Sequence, residues 1–287
     1  MLMYTLQSPI TTNFDNMTEK VFFQSSLPRS GSTIFQCIMA QNPEFYATPT
    51  SGLLELLYGA RANYTNSLEF KAQDTAMMEN AWRSFCRDGM LGYFKGITDK
   101  KYVLDKSRGW GYHYNFLNFF YPDPKIICLL RDPVDIFCSL EKKFRQNQHK
   151  DSGLVNHTQM VGTTTEKRID IWANSQPVGM AFERLQQIVK EGISEKMLFV
   201  RYERLTLNPE SEMKRVYDYL QLPYFAHDFV NIEQVTKEDD EVYGIYGDHI
   251  IKPKLTPVRS NAKEILGVGV CEWIRKNYSW VDKISAV

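Results

Sequence analysis

The first apolar run in the chain is Val21-Phe22-Phe23, β-branched and aromatic, followed by a short polar loop and then by Ile34, Cys37 and Ile38 at helical spacing. It reads as strand, turn and helix, with Pro28 and Gly31 punctuating the turn. The same alternation recurs. Phe45 to Thr50 predicts a short strand, and SGLLELLYGAR predicts a helix capped by Ser51 and carrying Leu53, Leu54, Leu56 and Leu57. Helical spacing holds over about 67–94, and a strand over 101–104 ends in Asp105-Lys106-Ser107-Arg108. KIICLL, at 125–130, is the continuous apolar run expected of a buried parallel strand, and it stops at Arg131-Asp132-Pro133, where proline suits the first turn of a helix. That helix, VDIFCSLEKKF, puts Val134, Phe137 and Leu140 on one stripe. Ile169, Trp172, Met180, Phe182, Leu185 and Ile188 predict one or two helices interrupted near Pro177. A strand over 197–201, a helix from Asn208 to about Leu220, and a terminal helix packing by Leu266, Trp273 and Ile274 complete the pattern.

Strands alternating with helices across short joints imply βαβ units and a parallel sheet, so the fold class is α/β. With 287 residues, 43% of them hydrophobic, the chain can bury a large core, and residues 18–287 read as one domain behind an irregular arm over 1–17. The 34 basic and 34 acidic residues cancel, which argues against a nucleic-acid partner and requires any anion site to be local. Five cysteines without a CxxC pair fit buried thiols better than disulfides or a zinc site. No window has the apolar length of a membrane span and no signal peptide is evident, so the expected setting is cytoplasmic. Lys237 to Glu241, KEDDE, reads as a solvated loop, and the two prolines in GDHIIKPKLTPVRS make the basic stretch with Lys252, Lys254 and Arg259 a loop as well.

The loop between the first strand and helix has the chemistry of an anion cradle. Unpaired amides of about 30–33 and the helix dipole favour negative charge, Gly31 permits close approach, and Arg29, Ser30, Ser32 and Thr33 add side-chain donors. Laid on the GxxxxGK[ST] pattern, Gly31 and Thr33 bring Ser32 to the lysine position and Ser26 to the first glycine. The Walker lysine is missing, which disfavours nucleotide hydrolysis. Further along, a strand ending at Lys106 would bring an ammonium to the same sheet edge, and Arg131 and Ser139, eight positions apart, can converge on a second anion.

Five stretches of the chain resemble the sulfotransferases that use 3′-phosphoadenosine 5′-phosphosulfate (PAPS). SLPRSGST is similar to their 5′-phosphosulfate loop in its arginine form, and KIICLLRDPVDIFCS to their 3′-phosphate strand and helix. VLDKSRG is similar to the stretch bearing a lysine near the transferring group. VRYERL followed by Asn-Pro resembles their late strand, and HIIKPKL the basic loop that closes over the nucleotide. The resemblance implies a three-layer, P-loop NTPase-like fold and sulfuryl transfer to a hydroxyl acceptor without a metal. It implies that Pro28, Arg29, Ser30, Gly31, Ser32 and Thr33 hold the 5′ end, Arg131 and Ser139 the 3′-phosphate, with Tyr202, Lys252 and Lys254 also on the nucleotide. Arg29 and Lys106 become the catalytic cations.

A base must take the acceptor's proton, and the glutamate of the tyrosylprotein branch would fall near Thr50, which has no carboxylate. Glu55 is therefore the first candidate, followed by Asp105, then His113 or His249, and a carbohydrate, lipid or small-molecule acceptor is favoured over protein tyrosine. Tyr58, Tyr64, Trp110 and Tyr112 are candidates near the mouth for stacking on a sugar or contacting a phenol, with most of the four expected in the core. A P-loop small-molecule kinase and a non-catalytic binding module on the same fold are the competing readings.

Overall fold

A computed structural model describes residues 20–147, 160, 162–242 and 249–284; the expected N-terminal arm lies outside them. Five strands, β1 (Lys20–Ser26), β2 (Phe45–Thr50), β3 (Tyr102–Lys106), β4 (Ile126–Leu130) and β5 (Met197–Arg201), form one parallel sheet in the order β2-β3-β1-β4-β5. The three inner strands β1, β3 and β4 are buried on both faces apart from Lys20, because helices cover both.

Alternation along each strand decides which helices it meets. Phe22, Leu104 and Leu129 point to the face covered by α1 (Ser32–Met39) and the later helix α10 (Pro209–Leu220). Val21, Phe23, Val103 and Ile126 point the other way, against α2 (Leu53–Asn66), α4 (Thr75–Lys95) and α5 (Tyr114–Phe120); a short α3 (Leu68–Lys71) joins α2 to α4. On that same side Cys128 and Leu130 extend the core under α6 (Pro133–Gln146), α7 (Thr165–Ala173), α8 (Val178–Lys190), α11 (Ala262–Leu266) and α12 (Val268–Tyr278). The short helices α9 (Tyr202–Leu207) and α13 (Trp280–Lys283) complete the list among the described residues. All five cysteines are free and buried. The expected single terminal helix is two, α11 and α12, parted at Gly267; Leu266 and Ile274 are buried as expected, but Trp273 is exposed. Among the described residues no helix is long and apolar enough to cross a membrane.

The topology positions the site. After β1 the chain leaves through α1 to β2 on one side, and after β4 it leaves through α6 towards β5 on the other. Neighbouring strands whose connections diverge open a crevice at their carboxyl ends, and here that crevice lies between the loop after β1 and the Arg131 turn after β4. The pairing of Gln24 with Lys106 brings the end of β3 to the same rim from the opposite side.

Candidate functional site

The loop after β1 is held in an unusual backbone shape. Arg29 has φ 58° and Gly31 has φ 83°, both left-handed, so the chain reverses tightly before α1 starts at Ser32. The first-turn amides of α1 have no partner within the helix, which is the anion-binding end. A Cβ on Gly31 would lie 2.3 Å from Cδ2 of Tyr202; only glycine lets that ring lie against the loop. Pro28 is buried beneath it. Ser30 differs from its expected use as a side-chain donor: its hydroxyl turns inward and donates to the Leu27 carbonyl at 2.7 Å, bracing the loop from below.

From β4, the guanidinium of Arg131 reaches across and donates through Nη1 to the Arg29 carbonyl at 2.8 Å, while lying 5.1 Å from the centre of the Tyr202 ring. Arg29 reciprocates, its Nε donating to Ser139 Oγ at 3.1 Å. The two expected clamps are thus one connected unit. Its frame is secured below, where Glu203 accepts from the Asp132 amide at 2.9 Å and Asp132 caps α6 by accepting from the Val134 amide at 2.7 Å.

Lys106 is buried at the end of β3, with Nζ 3.4 Å from Thr33 Oγ1 and 3.0 Å from Glu238 Oε1. Burial lowers the lysine pKa, and Glu238 works against that shift. Burial likewise pushes the Glu238 carboxyl up, but Lys106, Thr50 and His249 outweigh it, so its pKa falls below the usual value. The KEDDE segment is therefore no solvated loop at this point: the Glu238 side chain is only 2% exposed. The chain of charges continues, with His249 Nε2 3.4 Å from Glu238 Oε2 and Asp240 Oδ1 2.6 Å from His249 Nδ1. Sequence reasoning missed Glu238 and Asp240; an acidic run looks solvated unless its cationic partner, 132 positions away, is known.

Lys106 lines a cavity of about 400 Å3. Two of the four base candidates line it, Glu55 from the exposed start of α2 and His249. The other two do not. Asp105 is fully buried and accepts from Trp110 Nε1 at 2.7 Å, and burial raises its pKa to about 6. His113 sits 4.5 Å from the Tyr58 ring, its pKa lowered to about 4 by burial, Arg184 and Arg61. The four aromatic candidates divide between core and surface. Trp110 belongs to the core and Tyr64 stacks on Trp82, while Tyr58 and Tyr112 remain outside, about 40% exposed. Lys252 and Lys254 are exposed and outside the cavity lining, on a segment held to 229–232 by bonds from the Leu255 amide to the Phe229 carbonyl and from the Ile232 amide to the Pro253 carbonyl.

Arg29 and Arg131 thus join the loop after β1 to the turn after β4, and Lys106, at the end of β3, lines the neighbouring cavity. Similar proteins agree with that architecture. The family profile described as "Sulfotransferase family" matches residues 22–226. The nodulation protein NoeE of Sinorhizobium fredii (strain NBRC 101917 / NGR234) is 24% identical over 208 residues, 68% of this chain and 48% of its own length; the chain spans about half of that curated relative. Among solved structures, the sulfotransferase domain of the Synechococcus PCC 7002 olefin synthase superposes with a TM-score of 0.50 at 16% identity, covering 96% of this chain and 98% of its own. The sulfotransferase domain from the curacin biosynthetic pathway gives 0.50 at 16% identity, covering 92% and 99%. These structural likenesses concern the fold. With the family match extending from β1 past α10, the chain belongs to the sulfotransferase family.

Proposed function

We propose that this protein is a cytoplasmic enzyme that moves a sulfuryl group from PAPS to a hydroxyl acceptor, a carbohydrate, lipid or small molecule rather than a protein tyrosine, without a metal. The observation that carries the reading is the Arg29–Arg131–Ser139 unit, where Arg131 meets the Arg29 carbonyl at 2.8 Å and Arg29 meets Ser139 at 3.1 Å. Two anion sites in one crevice suit a donor with phosphate at both ends of its adenosine, and a lone triphosphate cradle would not need the second. The buried ammonium of Lys106, 3.4 Å from Thr33, suits the sulfuryl oxygens beyond the 5′ end.

In this reading the amides of residues 30–33 hold the 5′-phosphate, and Arg131 with Ser139 holds the 3′-phosphate as a planar fork and a hydroxyl. Arg29 spans both and neutralises charge on the leaving oxygen, Tyr202 supports the nucleotide, and Lys252 and Lys254 close over it. The donor supplies the sulfuryl group. The acceptor oxygen forms a bond to sulfur as the bond from sulfur to the 5′-phosphate oxygen breaks, and that oxygen keeps the electron pair. The proton passes to Glu55, the carboxylate that lines the cavity from α2, because both ring nitrogens of His249 already face carboxylates, Nε2 at 3.4 Å from Glu238 and Nδ1 at 2.6 Å from Asp240. E55Q then loses about 10²–10⁴-fold in turnover while keeping its affinity for 3′-phosphoadenosine 5′-phosphate (PAP); unchanged turnover would reassign the base. Five buried, free cysteines suit a reducing compartment.

Thermal-shift titration without magnesium tests the donor assignment. PAP should raise the melting temperature by linkage and ATP should do much less. Equal shifts would remove the 3′-phosphate site from the account.

A further inference from the structure

Arg131 leaves the sheet beside a second strand end. Leu130 pairs with Arg201, so Arg131 and Tyr202 emerge next to each other, and the start of α9 lies against the turn after β4. Three consecutive residues there each hold something. The Arg201 guanidinium ties the strand end to α13, donating through Nη2 to the Val281 carbonyl at 2.8 Å and to Asp282 Oδ1 at 3.1 Å. The Tyr202 ring lies against Gly31 and 5.1 Å from the Arg131 guanidinium. Glu203 accepts from the Asp132 amide at 2.9 Å, across 71 positions of chain.

That last bond acts on Arg131. The Asp132 N–H and the Arg131 carbonyl belong to one planar peptide unit, so fixing the N–H fixes ψ of Arg131 and the direction of its side chain. The carboxylate of Asp132 is turned elsewhere, to the Val134 amide. Glu203 carries a local cost in this arrangement. Its Oε2 is buried without a hydrogen-bond partner among the described residues, and an unpaired buried carboxylate oxygen lowers stability. Folded chains carry such costs at functional sites. The carboxylate is also near the clamp: burial raises the Tyr202 pKa, the charges of Arg131 and Arg29 oppose that shift, and the charge of Glu203 adds to it.

We infer that Glu203 is a positioning residue of the 3′-phosphate site, which touches no ligand and aims Arg131 by holding the peptide plane that follows it. The role belongs to its hydrogen-bonding oxygen; its charge, close to a phosphate, is unfavourable. This rests on the reading that Arg131 holds the 3′-phosphate, and adds the group that sets the aim of that arginine.

The test is calorimetric titration of the full chain with PAP and with adenosine 5′-monophosphate, which lacks the 3′-phosphate. Wild type should prefer PAP. E203A should shrink the ratio of the two affinities about tenfold, and E203Q, whose amide oxygen still accepts from Asp132, should keep it within about twofold of wild type. A residue that only stabilised the fold would weaken both nucleotides alike and leave the ratio unmoved. Without nucleotide, exchange of the Asp132 amide hydrogen, followed by NMR, should quicken in E203A and stay slow in E203Q. Melting temperature reports whether each variant is folded, and E203S, too short to reach the amide, replaces E203A if that variant does not fold. With Arg131 already replaced by alanine, E203A should change the ratio no further, because Glu203 acts through that guanidinium. Absence of a preference for PAP in wild type would overturn the donor reading and this assignment with it. With the preference present, an unchanged ratio in E203A, an equal loss in E203A and E203Q, or a further loss on top of R131A would overturn this assignment alone.

Discussion

Lys106 Nζ lies 3.0 Å from Oε1 of Glu238, and the two side chains are 8% and 2% exposed, so the cation assigned to the sulfuryl group already holds a carboxylate. Two anions would then compete for one ammonium. E238Q removes the competitor and leaves the lysine buried without its counter-charge. We expect unliganded stability to fall by about 3 kcal/mol. PAPS should bind about tenfold tighter than to wild type, with less change for PAP, which lacks the sulfuryl group. Calorimetry with both nucleotides and chemical denaturation check this; a PAPS affinity equal to wild type would mean that Glu238 and the donor do not share Lys106.

Replacing Arg131 by lysine keeps the charge and removes the fork. The variant loses the hydrogen bond to the Arg29 carbonyl and the contact with the Tyr202 ring, and it cannot grip a phosphate at two oxygens. With about 1.5–3 kcal/mol at stake, PAP should weaken about 10–100-fold. Adenosine 5′-monophosphate, lacking the 3′-phosphate, should weaken much less, so the ratio of the two affinities is the measurement. S139A should move the ratio the same way by a smaller factor.

Gly31 tests the backbone of the cradle. Alanine there meets both a φ of 83° and a ring carbon 2.3 Å from its Cβ. The strain is about 1–3 kcal/mol, and Tyr202 must move, taking the surface under Arg131 with it. G31A should therefore weaken PAP binding about tenfold or more. Adding Y202A relieves the clash but not the φ, so the double-mutant cycle should show a coupling of about 1 kcal/mol or more in stability. Strict additivity would mean the ring is not held by the loop.

What could be read from the chain was what is local. The strand, loop and helix around Gly31 carry their signals within a few positions, as do the β4 run and the Pro133 start of α6. Arg131 and Ser139 followed because a strand end and the next helix fix their spacing. What could not be read depended on distant partners. Glu238 looked solvated because Lys106 is far away in sequence, and which of the four aromatics enter the core depends on tertiary contacts such as the bond from Trp110 to Asp105. In α8 the apolar spacing was plain, but it serves two surfaces. Phe182 packs into the core while Met180 lines the cavity, and periodicity does not say which surface meets protein and which meets ligand.

Asp105 makes a pH-dependent prediction separate from catalysis. Burial raises its pKa from 3.8 to about 6, partly offset by hydrogen bonds from Trp110, Ser51 and Thr48 and reinforced by the charge of Glu55. Because the folded carboxyl holds its proton more tightly than the unfolded one, its contribution to stability is fully present below 3.8 and is lost as pH rises through about 6. The gap between 3.8 and about 6, at about 1.4 kcal/mol for each pH unit, amounts to about 3 kcal/mol. D105N cannot ionise, yet its amide oxygen can still accept from Trp110 Nε1. Wild type should therefore lose about 3 kcal/mol relative to D105N between pH 3.5 and pH 7, read as the difference between their urea unfolding free energies at the two pH values. Parallel stability curves would show that Asp105 titrates alike in the folded and unfolded chain and that its partners fully offset the cost of burial.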